Sequence, residues 1–292
     1  LDFYRETLKN FTPKHDFFIG FDSDGTVFDT LELKLKECFI PKIIKHWKLQ
    51  SIAKYARETA EFVNLYSKWR GANRFPALVT LFDLLRDRPE VRRRGFNLPD
   101  LTPLRAWVNS GTALGNPTLA QVVAETQNPV LRQALEWSEA VNQAVAEMVQ
   151  GITPFPLVRE TLQKIQPLAD AIVVSIAPCA TLRQEWDENQ LTQFVAVLAG
   201  QEMGNKTEQL KLAIAGRYAA NHTLMLGDAP GDFQAAQANH VLFYPILPGR
   251  EETAWQQFYE EALDKFLNQE YAGAYEFQRL AEFEKCFRNT AP

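Results

Sequence analysis

Residues 17–26 run Phe17-Phe18-Ile19-Gly20-Phe21-Asp22-Ser23-Asp24-Gly25-Thr26, a short apolar stretch that breaks into two acids, a glycine and a hydroxyl. An unbroken apolar run of this length predicts a strand buried on both faces, the kind found inside parallel sheets. The polar turn that follows predicts its end. Working outward, four later stretches have the same texture: 170–175 (DAIVVS), 194–199 (FVAVLA), 223–227 (TLMLG) and 240–244 (HVLFY). Helical periodicity separates them over 156–166, 178–190, 206–219 and 231–238, with Pro178 expected in the first turn of its helix. Strands alternating with amphipathic helices predict right-handed βαβ units. The fold class is therefore α/β, a Rossmann-like parallel sheet with helices on both faces.

Between residues 30 and 150 the strand-like runs vanish. Helical periodicity covers 31–47, 51–69, 75–87 and 129–149, and Thr102-Pro103 and Asn128-Pro129 read as N-cap plus first-turn proline, with Thr118 as another cap. A block this long with its own apolar faces predicts a separate all-helical domain over 30–150, inserted into a sheet domain made of 1–29 and 151–292. The return segment Gly151-Ile152-Thr153-Pro154-Phe155-Pro156 has the composition of a semi-rigid hinge. Two further helices are expected at 251–268 and 273–286, with Trp255, Phe258, Tyr259, Tyr271, Tyr275 and Phe277 packed against the sheet domain.

The bulk properties exclude several function classes. The chain has 292 residues, 46% of them hydrophobic, and 31 Lys+Arg against 36 Asp+Glu leave a net charge of -5. That balance argues against nucleic-acid binding through a broad basic surface. The densest basic run, Arg92-Arg93-Arg94, lies between Pro89 and Gly95 and reads as a solvated loop. Cys38, Cys179 and Cys286 are far apart and form no CxxC pair, which fits a reducing compartment. The leading LDFYRETLKNF is too charged for a signal peptide, and its lack of an initiating Met suggests a processed start. No window approaches the roughly 18 apolar residues of a membrane span. A cytoplasmic monomer or small homo-oligomer, bound to neither membrane nor nucleic acid, is the expectation.

Four clusters carry chemistry, each at or just past the end of an expected strand, where open α/β sheets bind ligands. Asp22 and Asp24 stand two apart in a turn that Gly25 permits, so one carboxylate could attack phosphorus while the other moves protons. DxDG is also an ordinary turn or a fragment of a calcium loop, although Val27 and Leu33 stand where an EF-hand needs Gly and Glu. Ser175 ends DAIVVS ahead of a helix start and suits a phosphate oxygen, or a helix cap. Lys206 opens a helix, where the macrodipole disfavours a cation unless an anion accompanies it; alone it reads as a surface lysine. Asp228 and Asp232 in Gly227-Asp228-Ala229-Pro230-Gly231-Asp232 could hold a hard cation, or Asp232 could simply cap the next helix. His15, His46, His222 and His240 show no ligand spacing, and Trp47, Trp69, Trp107 and Trp137 sit at core positions.

In combination and order these clusters resemble the haloacid dehalogenase-like (HAD) hydrolase superfamily: FFIGFDSDGTVFD, the Ser of VVS, Lys206 in GNK, and GDAPGD. The likeness covers about residues 10–30 and 151–245, and the insert stands where a type 1 helical cap would. The resemblance implies Asp22 as nucleophile and Asp24 as general acid/base. It implies Mg²⁺ on Asp22, the Asp24 carbonyl and Asp228, with Asp232 as an additional ligand. Ser175 and Lys206 would bind the phosphoryl group, with Gly25 and Thr26 beside them. Asp24 in particular fits phosphate monoesters, since relatives that cleave carbon–halogen bonds lack it. Within the insert, Lys68, Arg70 and Arg74 in KWRGANRFP are the candidates for recognising the rest of a small phosphorylated substrate; the alternative is an exposed basic turn. A phosphomutase shares all four clusters; a binding protein on a retired form of the same fold is the other alternative, and the presence of Asp22, Asp24, Ser175, Lys206, Asp228 and Asp232 together speaks against it.

Overall fold

Five strands form one all-parallel sheet in the computed structural model, which describes residues 2–288 and 290–291. They are β1 (Phe17–Phe21), β2 (Ala169–Val174), β3 (Val197–Ala199), β4 (Thr223–Gly227) and β5 (Leu242–Pro245), in the spatial order β3-β2-β1-β4-β5. β1 is central because both its faces and both its edges are apolar or paired: Phe17 aligns with Ala169 on one side, and Phe18 with Thr223 on the other. Phe18, Ile19 and Phe21 are fully buried. The order reverses direction between β1 and β4, so the residues after these two strands emerge side by side at a topological switch point.

The chain divides into two units. One holds the chain up to Leu31 and Gly151–Phe287; the other holds Glu32–Gln150 and the residues from Arg288. In the sheet unit, helices Val158–Ile165, Cys179–Glu188, Lys206–Ile214 and Pro230–Ala238 alternate with the strands. In the other unit the described elements are all helical, among them Arg74–Asp87, Thr102–Val108, Asn116–Thr126 and Pro129–Met148. Its core is aromatic: Trp47 lies against Trp137 with ring centroids 5.5 Å apart, and Phe75 meets Trp107 edge-on at 4.9 Å. No helix among the described residues is long and apolar enough to cross a membrane.

Local differences from the sequence reading have local causes. The apolar run 194–199 forms strand only over Val197–Ala199, because Thr192–Phe194 coil into a 3-10 turn before the edge strand begins. The helix expected over 206–219 stops at Ile214, ahead of Gly216 with φ +67°. Pro178 is the extended N-cap of its helix rather than a first-turn residue. Asp100, not Thr102, takes the capping role at its helix: its Oδ1 accepts from the Thr102 N–H at 2.9 Å. Thr118 lies one turn inside its helix, whose N-cap is Gly115. Asn128 caps as expected, accepting from Val130 and Leu131. Arg92 and Arg93 close a short helix, Pro89–Arg93, rather than lying in a loop.

The tail folds as helices Glu251–Gln257, Phe258–Ala262 (a π turn), Leu263–Leu267 and Ala274–Glu284. Trp255, Phe258 and Tyr271 are fully buried in the sheet unit's core. Phe277 departs from the expectation: it is 74% exposed, on the outer face of its helix. β5 would be a bare edge, but the tail covers it, with the Glu276 carboxylate accepting from the Phe243 N–H at 2.9 Å and the Tyr271 hydroxyl donating to the Phe243 carbonyl at 2.7 Å.

Candidate active site

β1 delivers Asp22 to the C-terminal edge of the sheet, where its N–H donates to the Leu226 carbonyl of β4 at 3.0 Å. The chain then turns sharply. The Ser23 carbonyl accepts from Val27 and Phe28, and the Gly25 N–H donates to the Phe28 carbonyl at 2.8 Å. Gly25 sits at φ +80°, a left-handed conformation that a side chain would strain, which is why this turn takes glycine.

The turn brings four ionisable groups together. Asp22, Asp228 and Asp232 are all buried and each presents a carboxylate oxygen within 4.8 Å of the others. Lys206 is also buried, with Nζ 2.7 Å from Asp22 Oδ1 and 2.5 Å from Asp232 Oδ1. Thr26 completes the group by donating its hydroxyl to Asp228 Oδ1 at 2.9 Å. Asp232 takes the capping role, since its other oxygen accepts from the Ala229 N–H at 3.0 Å at the start of the Pro230–Ala238 helix. The first-turn lysine at the Lys206–Ile214 helix is explained by these anions and by an Asn205–Glu208 capping box.

Burial raises the Asp22 carboxyl well above the usual carboxylate range; Lys206 opposes this, while Asp232 and Asp228 add to it. Asp232 is raised for the same reason, again against Lys206. For Lys206 burial favours the neutral amine, but the attraction of Asp22 and Asp232 more than offsets it, so the ammonium is held charged. Three carboxyl groups share one ammonium in a buried place, so ionising all three is costly without a further cation. An all-oxygen, anionic donor set of this kind suits a hard divalent cation such as Mg²⁺.

The remaining predicted residues fall into three groups. Asp24 is half-buried and accepts a hydrogen bond from the Thr30 hydroxyl. Ser175, buried at the end of β2, accepts from the Ala177 N–H at 3.1 Å through its hydroxyl; it does not cap the following helix, whose N-cap is Pro178. The cations of KWRGANRFP belong to the helical unit. Lys68 is exposed with Nζ 5.1 Å from the Trp69 ring centre, whereas Arg70 is buried and donates to the Leu65 carbonyl at 3.2 Å. Arg74 donates to Ser138 Oγ at 3.0 Å and Asn142 Oδ1 at 2.7 Å, and burial pushes its pKa down to about 10.

Two supporting residues belong to none of the sequence motifs. Gln209 is fully buried one turn beyond Lys206, and its amide donates to the carbonyls of Ser175, Gly200 and Gly204, each at 2.9 Å. It ties the end of β2 to the start of the lysine's helix. Trp186 donates its indole N–H to Ser23 Oγ at 3.1 Å. The only sequence signal for Gln209 was its i+3 spacing from Lys206, a weak one.

Gly227 lies tight against Asp232. A Cβ there would stand 2.4 Å from the Asp232 Cβ, so Gly227→Ala must displace Asp232. For a cluster that holds a cation, moving a group that orients it costs about 10–100-fold in affinity, the loss that a Mg²⁺ titration of Gly227→Ala followed by calorimetry would read.

No family model matches the chain, and no curated protein matches it. Among solved structures, it is similar to a haloacid dehalogenase-like family hydrolase from Streptococcus pneumoniae at 14% identity, over 82% of this chain and 90% of that one, with a TM-score of 0.44. A HAD-superfamily hydrolase of subfamily IA from Geobacter sulfurreducens is 17% identical over 80% and 90%, with a TM-score of 0.39. A hydrolase from Pseudomonas syringae is 16% identical over 82% and 90%, with a TM-score of 0.44. Likeness this distant transfers no chemistry to the chain. The parallel sheet, the helical insert and the acidic cluster are its own, and they have the arrangement that the HAD resemblance implies.

Proposed function

We propose that this protein is a Mg²⁺-dependent phosphatase that hydrolyses a small phosphorylated metabolite through an aspartyl phosphate on Asp22. The observation that carries the reading is the convergence of buried Asp22, Asp228 and Asp232 on one point, with Lys206 beside Asp22. Mg²⁺ would be held by Asp22, the Asp24 carbonyl and Asp228, with Asp232 as a further ligand, and when bound it neutralises charge between nucleophile and phosphate.

The chain's own residues then divide the work. A carboxylate oxygen of Asp22 attacks phosphorus, and the bond from phosphorus to the leaving oxygen breaks. Asp24 gives its proton to that oxygen, becoming a carboxylate. It next takes a proton from water, whose oxygen attacks the phosphoryl group and restores the Asp22 carboxylate. Ser175 and Lys206, with the turn at Gly25 and Thr26, bind the phosphoryl oxygens; the lysine charge offsets the charge that accumulates there. In the helical unit, Lys68, Arg70 and Arg74 are assigned to the leaving group. Lys68 leads that assignment because its ammonium is exposed, whereas Arg70 and Arg74 spend guanidinium donors on their own unit.

The test is phosphate release from p-nitrophenyl phosphate and a panel of phosphorylated metabolites, with Mg²⁺ and with EDTA. Turnover in Mg²⁺, lost in EDTA and restored by excess Mg²⁺, is the expected result. Folded protein that is inactive on every ester, or equally active in EDTA, contradicts it.

A further inference from the structure

Among the described residues the tail after β5 adds no strand to the sheet, yet its first helix reaches back to the Asp22–Thr26 turn. Trp255 is fully buried, and its indole N–H donates to the Thr26 carbonyl at 2.7 Å. The same ring lies parallel to Phe21, 7° from coplanar, with centroids 6.4 Å apart. Phe21 immediately precedes Asp22, and Thr26 follows Asp24 by two residues, so one side chain holds the turn at both ends. The Thr26 hydroxyl carries the connection onward to Asp228 Oδ1 at 2.9 Å. Trp255 is itself seated by the end of β5, where the Tyr244 hydroxyl donates to the Ala254 carbonyl at 2.7 Å, and by Phe258 edge-on at 6.1 Å.

Packing alone does not account for the indole. Trp47, Trp107 and Trp137 in the helical unit are buried with no hydrogen-bond partner for Nε1, so this chain elsewhere uses tryptophan as plain bulk. The two buried tryptophans of the sheet unit behave differently. Trp186 and Trp255 both direct N–H into the Asp22–Thr26 turn, one at the Ser23 hydroxyl and one at the Thr26 carbonyl. A buried carbonyl held by a single directed donor fixes the peptide on either side of it.

We propose that Trp255 is a positioning residue for the cation site, and that the tail helices serve as a clamp setting the Thr26–Asp228 pair. The proposal rests on the Mg²⁺-dependent reading above. Groups that orient metal ligands from behind commonly change metal affinity without touching the ion.

The experiment is calorimetric titration of the full chain with Mg²⁺, comparing the parent with Trp255→Phe and Tyr218→Phe. Trp255→Phe keeps a ring on Phe21 and removes only the donor. Tyr218→Phe likewise removes one donor from the sheet unit, the hydroxyl that meets Asp170 at 2.8 Å near the start of β2, at the end of the strand away from Ser175. Trp255→Phe is expected to bind Mg²⁺ about 10–100-fold more weakly, with Tyr218→Phe within about twofold of the parent. Should Trp255→Phe fail to fold, Tyr244→Phe loosens the same helix and is expected to weaken Mg²⁺ in the same direction. Unchanged affinity in folded Trp255→Phe, or an equal loss in Tyr218→Phe, overturns the clamp while leaving the phosphatase reading intact. A parent that binds no Mg²⁺ at all overturns that reading, and the clamp with it.

Discussion

Asp22→Asn is expected to lower phosphate release by on the order of 10⁴–10⁶-fold, the scale seen when a covalent nucleophile is removed. The amide keeps the shape and a hydrogen-bonding oxygen for Lys206, so the loss reports nucleophilicity rather than packing. Stability should move the other way. Burial holds the Asp22 carboxyl well above its ordinary range, and Asp232 and Asp228 push in the same direction. A carboxyl raised in the folded state contributes stability that is fully present below its unfolded pKa and is lost as pH rises through the folded value. From about pH 4 upward, metal-free protein with Asp22 therefore bears a growing cost that Asn does not. Melting curves in EDTA at pH 5 and pH 8 should show the variant at least as stable as the parent at pH 8, with a flatter dependence on pH. A variant that keeps its activity, or melts far earlier than the parent in EDTA, contradicts the assignment.

Lys206→Met is expected to destabilise the fold of the sheet unit strongly. The ammonium is buried between Asp22 and Asp232, and removing one partner of a buried ion pair costs about 3–5 kcal/mol because charge is left uncompensated. For a chain of this size that corresponds to a fall in Tm of roughly 6–20 °C. Mg²⁺ should recover part of the loss, since the cation neutralises the same carboxylates. Activity should not return with it, because the lysine is also assigned to the phosphoryl oxygens. Differential scanning calorimetry in EDTA and in Mg²⁺ measures both halves. A Tm unchanged in EDTA would mean that the pair does not hold the site together.

What was legible in the sequence follows from what short-range pattern can encode. FFIGF could be recognised as a central strand because burial on both faces leaves an uninterrupted apolar run, and it emerged as β1 between β2 and β4. Asn128-Pro129 announced a helix start because cap chemistry is local, and Asn128 accepts from the two N–H groups that follow the proline. The run FVAVLA was legible only in part. Apolar composition marks burial but not pairing, and at a sheet edge half the run coils before β3 begins. Asp22, Asp228, Asp232 and Lys206 could be proposed as one site because each follows a strand, and parallel strands place such residues along one edge.

Long-range hydrogen bonds left no such trace. The Trp255 indole meets the Thr26 carbonyl across 229 positions, and Gln209 meets the Ser175 carbonyl across 34. Neither spacing has a period, so a tryptophan in a tail helix reads as core and a glutamine in a helix reads as surface. Phe277 fails in the opposite sense: periodicity allowed it an inward face, and the Ala274–Glu284 helix turns it to solvent.

The most direct test of the nucleophile is acid quenching during turnover of p-nitrophenyl phosphate in Mg²⁺, followed by mass spectrometry of the proteolysed chain. The account predicts one phosphoryl group on the peptide that contains Asp22, removed by neutral hydroxylamine and absent from Asp22→Asn. A phosphoryl group on a different residue, or steady turnover with Asp22→Asn as active as the parent, would contradict it.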